Sequence, residues 1–471
     1  MSTTSYADDS QRKRLLLALF LGVLMGALDI AIVGPALPAI RDGFATSDRG
    51  IAWVFSIYVL FNLIGTLFMS KLSDRMGRRP VYLLDVVFFA VGSLVVALAP
   101  DFSLVLVGRA IQGFSAGGLW PVASAVIGES FPVEKRGRSL GLIGAVWGVA
   151  FLLGPPIGGL LLMLDWRWLF IVNIPFAIVV FALSARALPK TEPAEPRPFD
   201  IPGMITLALM LAALAFGINH IDSADFPRTL ISASVLPFLL AAVAGVPVLI
   251  LFERRAADPV LHPRLFRNRQ IVLASLLSLA AGFSEGSLVF VPALTIAVFA
   301  VSASTASFLL LAPVIAVAIF SPVWGRLLDR AGSRLVIAIG VLFSILGLLV
   351  AGYLGRNFAA YICGGIAIGL GISALLGAPI RYVMLHEAPK EFRTVAQGLI
   401  TVFTSIGQIT SGALVGALAA SFGGGATGYL LSYRIVGYFF ILFLFVTAGL
   451  KSRRAEAKSV AAAEMEATER T

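Results

Sequence analysis

The sequence predicts an all-α integral membrane protein, and three observations carry that prediction. Of 471 residues, 58% are hydrophobic and only 13% are charged, about half the roughly 25% charge content of soluble globular chains. Apolar runs such as Leu15–Gly34 and Val81–Pro100 each hold a single charged residue. Each is long enough to cross a bilayer core of about 30 Å at about 1.5 Å per residue. The remaining charge falls in short basic clusters between runs, Arg12–Arg14, Arg75–Arg79, Lys135–Arg138 and Lys451–Arg454 among them, as in the loops of a polytopic protein.

Spans are predicted at 14–40, 51–71, 80–99, 102–127, 138–163, 168–188, 201–220, 229–252, 270–297, 304–325, 334–354, 358–383, 394–420 and 433–450. The first is too long for a signal-peptide core of roughly 7–15 residues and carries Asp29, so it reads as a retained span. Of the 36 Lys and Arg residues, 29 fall on one set of span ends and loops. Arg41, Arg49, Arg167, Arg228, Arg356 and Arg434 fall on the other, and Arg109 lies within a span. The positive-inside rule then puts both termini in the cytoplasm, in a plasma membrane of bacterial inner-membrane type. The formal charge of +10 does not point to nucleic acid, because no aromatic platform is interleaved with the basic residues. The single cysteine, Cys363, excludes an internal disulfide.

The chain also echoes itself. Lys71–Arg79 recurs as Arg326–Arg334 at an offset of 255, Glu134, Arg136, Gly141 and Gly159 recur as Glu391, Arg393, Gly398 and Gly416 at 257, and Gly113 and Gly117 recur as Gly365 and Gly369 at 252. Two homologous six-helix halves follow, related by an axis along the membrane normal. The organisation is a cytoplasmic N-terminus (1–13), an N-terminal bundle (14–188), a linker with two extra spans (189–269), a C-terminal bundle (270–450) and a mobile tail (451–471). The third echo makes Tyr361 the duplicate of Arg109.

Four motifs give these halves a resemblance to the major facilitator superfamily, and within it to the fourteen-span drug:proton antiporters. Ser70-Lys71-Leu72-Ser73-Asp74-Arg75-Met76-Gly77-Arg78-Arg79-Pro80 resembles the superfamily's signature between spans two and three, except that Ser70 replaces the usual glycine. The resemblance implies a latch of Asp74, Arg75, Gly77 and Arg78 with Glu129, echoed at Asp329, Arg330 and Gly332, that holds the outward-open state. Arg109-Ala110-Ile111-Gln112-Gly113 in span four resembles the family's proton-exchange arginine motif. Gly141 with Gly154-Pro155-Pro156-Ile157-Gly158-Gly159 in span five resembles the antiporter signature, which favours export over uptake. Ala150 is a departure where the family has glycine. Leu28-Asp29 through Ala36-Leu37-Pro38 resembles the span-one signature.

The resemblance implies the major-facilitator-type fold, two six-helix bundles plus two extra helices, working by alternating access. Charged groups inside a span are costly and need polar partners or water. Asp29 and Arg109 differ in predicted depth by about 6 Å, within reach of an arginine side chain. Contact with a cation favours the charged carboxylate and loss of contact favours protonation, which makes a proton switch. Glu285, in mid-span nine between Gly282 and Gly286, belongs to no motif; it suits a cationic substrate, a second proton, or a hydrogen-bonded structural acid. Gln112, Trp120, Trp147 and Glu285 are the candidate cavity residues, and Asp85 reads as structural.

No nucleotide site is assigned: Gly423, Gly425 and Gly428 lack a preceding strand, and a phosphate-binding loop ending in Gly-Lys-Ser/Thr is absent. His220, His262 and His386 stand too far apart for a metal set, and no constellation suggests an enzyme. The expectation is proton-coupled efflux of amphipathic or hydrophobic compounds, drugs or lipids, with no cofactor besides the proton gradient. Its partners are substrate, protons and membrane lipid, not nucleic acid or nucleotide. The rivals are a proton symporter for uptake and a non-transporting accessory or sensor protein of envelope lipid assembly.

Overall fold

A computed structural model describes residues 9–132, 139–140, 142–143, 146–189, 200–222, 225–256, 259, 263–389 and 392–456. Its helices are α1 (Asp9–Gly43), α2 (Asp48–Met76), α3 (Arg78–Ala97), α4 (Phe102–Ser130), α5 (Val146–Leu161), α6 (Trp168–Ala187), α7 (Ile201–Asn219) and α8 (Leu236–Arg255). The second part of the chain adds α9 (Arg269–Phe299), α10 (Ala303–Ala331), α11 (Ser333–Leu354), α12 (Phe358–Glu387), α13 (Arg393–Ser421) and α14 (Gly425–Ala448). Thirteen are long and apolar enough to cross a membrane, and the described part of α5 is a shorter apolar helix of 16 residues.

Short polar side chains start these helices by accepting a bond from an otherwise orphaned backbone N–H. Ser47 accepts from the Gly50 N–H at 3.1 Å, Asp101 from Leu104 at 2.9 Å, Asp200 from Gly203 at 2.9 Å and Asn357 from Ala360 at 3.1 Å. Gly77 (φ +91°) and Gly332 (φ +83°) end α2 and α10 and let α3 and α11 restart at the next residue. That backbone angle favours glycine, which explains why both copies of the motif carry one.

The two halves are repeats, but one register in the sequence reading needs correction. The caps Asp101 and Asn357 are 256 residues apart. A Cβ on Gly113 would land on the Tyr58 carbonyl and one on Gly369 on the Pro313 carbonyl; Tyr58 and Pro313 are 255 residues apart, the offset of the Lys71–Arg79 echo, so Gly113 matches Gly369. The counterpart of Arg109 is therefore Gly365, not Tyr361. Glycines four apart recur on one helix face, so the sequence matches equally well one turn out of register. The last span also begins earlier than expected, at Gly425. Arg434, expected outside, lies within α14, where its Nε donates to the Gly352 carbonyl at 2.8 Å and its guanidinium covers Tyr353.

The extra helices α7 and α8 pack on each other, and α7 also packs on α2 and α13, one from each half. Residues 451–456, expected to be mobile, are docked on the second half: Lys451 pairs with Glu387 at 2.5 Å, and Glu456 accepts from the Ser333 N–H and hydroxyl.

The halves close against each other on the face opposite the chain termini. Arg49 at the start of α2 donates to Ser421 of α13 at 3.2 Å, and Tyr429 of α14 donates to Asp48 at 2.9 Å. Nearer the middle, Ser307 of α10 donates to the Pro155 carbonyl of α5 at 2.6 Å. Toward the termini face, a Cβ built on Gly128, Gly148, Gly325 or Gly398 would meet nothing within 4 Å among the described residues. The arrangement is open to the termini face. With Cys363 replaced by Ser, Gly128→Cys and Gly398→Cys should react with a water-soluble maleimide roughly tenfold or more faster than Ser56→Cys, whose side chain lies in the closed seam. Equal rates at the three positions would show that the halves are not parted on this side.

Candidate functional site

Five polar side chains from four helices converge inside the first half. Arg109 of α4 is fully buried and pairs with Asp29 of α1, also fully buried, Nη1 to Oδ2 at 2.5 Å. The same Nη1 donates to Gln112 Oε1 at 2.9 Å, and Nε donates to the Val54 carbonyl of α2 at 3.2 Å. Asp29 Oδ1 accepts from Gln112 Nε2 at 3.1 Å and from Asn173 Nδ2 of α6 at 3.1 Å. Ser93 of α3 accepts from the same two amides, at 2.7 and 3.3 Å. Arg109 Nη2 has no hydrogen-bond partner among the described residues, and the guanidinium lies over the Tyr58 ring, 4.1 Å from its centroid, a cation–π contact.

The structure thus joins Asp29, Arg109 and Gln112, and adds Ser93, Asn173 and Tyr58, for which the sequence alone indicates no role in the site. A polar amide at the start of the apolar run Trp168–Ala187 was the signal for Asn173. A serine or tyrosine among membrane helices is too common to stand out. Gln112, expected from the sequence to line the cavity, does not, because both ends of its amide are used inside this network.

A separate cavity lies between the halves. It holds about 20 Å³, room for about one water, and is lined by Ile30, Ala31, Phe55, Phe151 and Glu285 among others. Glu285 of α9 is its acid, and Gln408 of α13 hydrogen-bonds the carboxyl. Ile30 and Ala31 follow Asp29 directly, so α1 separates the cavity from the ion pair. Trp147 stacks near Phe151 at 6.3 Å and is exposed, and Trp120 is half-buried in α4.

The α5 motif sits on the seam between halves. A Cβ on Gly154 would collide with Ala31 of α1, one on Gly158 would meet Ser307, and one on Gly159 would meet the Phe308 ring of α10. Pro155 supplies the carbonyl that Ser307 bonds. Gly141 lies outside the described residues. On the termini face Arg78 bridges Asp74 and Glu129, the latter at 2.9 Å, while Arg75 is exposed. All three bridged residues belong to the first half, and the bridge is formed with the termini face open. The outward-open assignment of this latch is thus not the arrangement seen: a contact internal to one half is kept whichever way the halves tilt. In the second copy, Gly332 repeats the turn. Ser333 stands in place of Arg78, and Asp329 and Arg330 are exposed and make no ion pair among the described residues.

A family model of the Major Facilitator Superfamily matches residues 19–288 and 271–469. The chain belongs to the major facilitator superfamily. Among its relatives, the uncharacterized MFS-type transporter YfiU of Bacillus subtilis is 30% identical over 82% of this chain and 76% of its own length. The multidrug transporter protein MdtP of the same organism is 28% identical over 93% of this chain and 80% of its own. The multidrug resistance protein Stp of Mycobacterium tuberculosis is 29% identical over 86% and 75%. Among solved structures, an inward-facing bacterial homologue of the lysosomal transporter Spinster superposes with a TM-score of 0.66 at 15% identity, covering 96% of this chain and 99% of that one. The superfamily member described here is a multi-pass membrane transporter and not an enzyme.

Removing a hydrogen-bond donor from a buried network costs about 1–3 kcal/mol per group left unpaired. Asn173→Ala and Gln112→Ala should each lower the unfolding midpoint of the purified protein in detergent. Gln112→Ala should lower it further, since Gln112 bonds Arg109, Asp29 and Ser93. Unchanged midpoints for both would show that the network contributes nothing to stability.

Proposed function

We propose that the protein expels amphipathic compounds across the plasma membrane in exchange for protons. The observation that supports this reading best is the buried Asp29–Arg109 pair, one residue along α1 from the wall of the cavity between the halves. A carboxylate and guanidinium in hydrocarbon are tolerable only as a pair. When a proton neutralises Asp29, the attraction is lost and Arg109 becomes an uncompensated buried charge. The cheapest response is a movement of α1 against α4. Because α1 also packs tightly on Gly154 of α5 and, through Gly34, on the Val289 carbonyl of α9, such a movement reaches both halves.

In this reading both termini are cytoplasmic, following the distribution of Lys and Arg, and fourteen helices span the membrane with α5 among them. The arrangement open to the termini face is then the one that loads substrate from the cytoplasm and the inner leaflet. The bundles 14–188 and 270–450 rock about the central cavity, with the pair within 189–269 at their side. Glu285 takes either a cationic group of the substrate or a further proton. Multidrug names among the relatives and the glycine–proline motif on the seam favour export over uptake. The proton gradient supplies the energy, with no cofactor and no nucleotide.

Asp29→Asn mimics the protonated state permanently. With ethidium as the probe in proteoliposomes, this variant should still exchange ethidium across the membrane. Accumulation driven by a pH gradient should fall roughly tenfold or more, because the coupling free energy between proton and substrate is gone. Uphill transport equal to the parent's would take coupling away from Asp29.

A further inference from the structure

The seam between α3 and α4 holds a second buried acid that the ion pair does not use. Asp85 lies on α3 eight residues toward the termini face from Ser93, about 12 Å along the helix. It is fully buried, and neither carboxyl oxygen has a hydrogen-bond partner among the described residues. α4 leaves room for it with Gly118, where a Cβ would land on the Asp85 Oδ2 and also crowd the Met69 Cβ of α2.

Four charged or titratable groups around this seam are bonded elsewhere. Tyr82, one turn away on α3, directs its hydroxyl to the Ala18 and Leu19 carbonyls of α1. Arg78 is held by Asp74 and Glu129, Arg79 donates to the Ala185 carbonyl of α6, and Arg109 of α4 is held by Asp29. Among the described residues no cation of α1, α2, α4 or α6 forms an ion pair with Asp85.

The repeat shows that packing does not ask for this acid. In the corrected register Asp85 matches Gly340 and Gly118 matches Ala374, and a Cβ on Gly340 would run into the Ala374 Cβ. The second half therefore closes the same seam with the glycine on the other helix and without an acid, the nearby Ser344 donating to the Gly340 carbonyl at 3.1 Å. A negative charge at Asp85 would stand without a donor in a dry seam, which costs far more than burying the neutral acid.

We propose that Asp85 is a second proton-binding site, distinct from the Asp29–Arg109 pair, loaded in this arrangement and emptied toward the termini face. The step is a proton transfer: the Asp85 O–H bond breaks, its proton passes to water admitted from the termini face when the seam loosens, and a carboxylate remains. The end of α3 at Arg78 is seven residues, about 10 Å, away. The coupling part of this inference rests on the proton-driven reading above; the presence of a bound proton does not.

Two measurements test it on the full-length protein. In detergent, infrared spectra of the parent should contain the carbonyl stretch of a protonated carboxyl that accepts and donates no hydrogen bond. That band should be missing from Asp85→Asn and from the double variant Asp85→Gly/Gly118→Ala, which transplants the second half's packing and so controls for folding. In proteoliposomes, both variants should still exchange ethidium, while the number of protons moved per ethidium falls by one. A band that persists in the variants, or is missing from the parent, overturns the site. A lost band with an unchanged proton count overturns its part in coupling. If the parent moves no ethidium on a pH gradient, the antiport reading fails, and the infrared comparison still decides whether Asp85 holds a proton.

Discussion

The pair of opposite charges buried between α1 and α4 constrains the first half more than any other contact. Each charge alone would be costly in hydrocarbon, and removing one partner of such a pair costs about 3–5 kcal/mol. The structure meets this demand by surrounding the pair with donors and acceptors from α2, α3 and α6. Gln112 and Asn173 hold Asp29, Val54 takes the Arg109 Nε, and Tyr58 faces the guanidinium. Four helices are thereby fixed relative to α1, and in the proposed cycle α1 is the element whose position depends on a single proton.

Close backbone approach turns that dependence into contact with the rest of the molecule. Lipid offers no hydrophobic drive between helices, so dense packing through small residues has to supply the cohesion. Gly154 lets α5 touch Ala31 of α1, Gly34 lets α1 touch the Val289 carbonyl of α9, and Gly282 fits against the Thr404 carbonyl of α13. These positions transmit displacement because none has slack to absorb it. The extra helix α7 adds a brace to α2 and α13 from outside the two bundles.

The halves share a backbone plan and differ in chemistry. Where the first half has Arg109, Gln112, Ser93 and Arg78, the second has Gly365, Ile368, Leu348 and Ser333 in the same register. The buried polar network is confined to one bundle. In the other, where Ser333 replaces Arg78, a tail carboxylate, Glu456, is bound at the N-terminus of α11, where the helix dipole favours an anion. The ion pair thus belongs to one bundle, while the acid that lines the cavity between them, Glu285, belongs to the other.

Hydropathy alone determined that the chain is a bundle of membrane helices, because about twenty consecutive apolar residues have no other stable use. The costly charges Asp29, Arg109 and Glu285 were legible for the same reason: an ion in an apolar run stands out. The paired glycines Gly77 and Gly332 were legible because their backbone angle admits little else. The partners of those charges were not legible. Asn173 lies 144 residues from Asp29, and no local pattern links an amide to an acid at that distance. The register of the repeat needed the structure too, since glycines at four-residue spacing satisfy two alignments, and the helix caps Asp101 and Asn357 are what distinguish them. The isolation of Asp85, and the side to which the halves open, depend on how whole helices tilt against one another. Those tilts follow from contacts between residues far apart in the chain, and only the tertiary structure decides them.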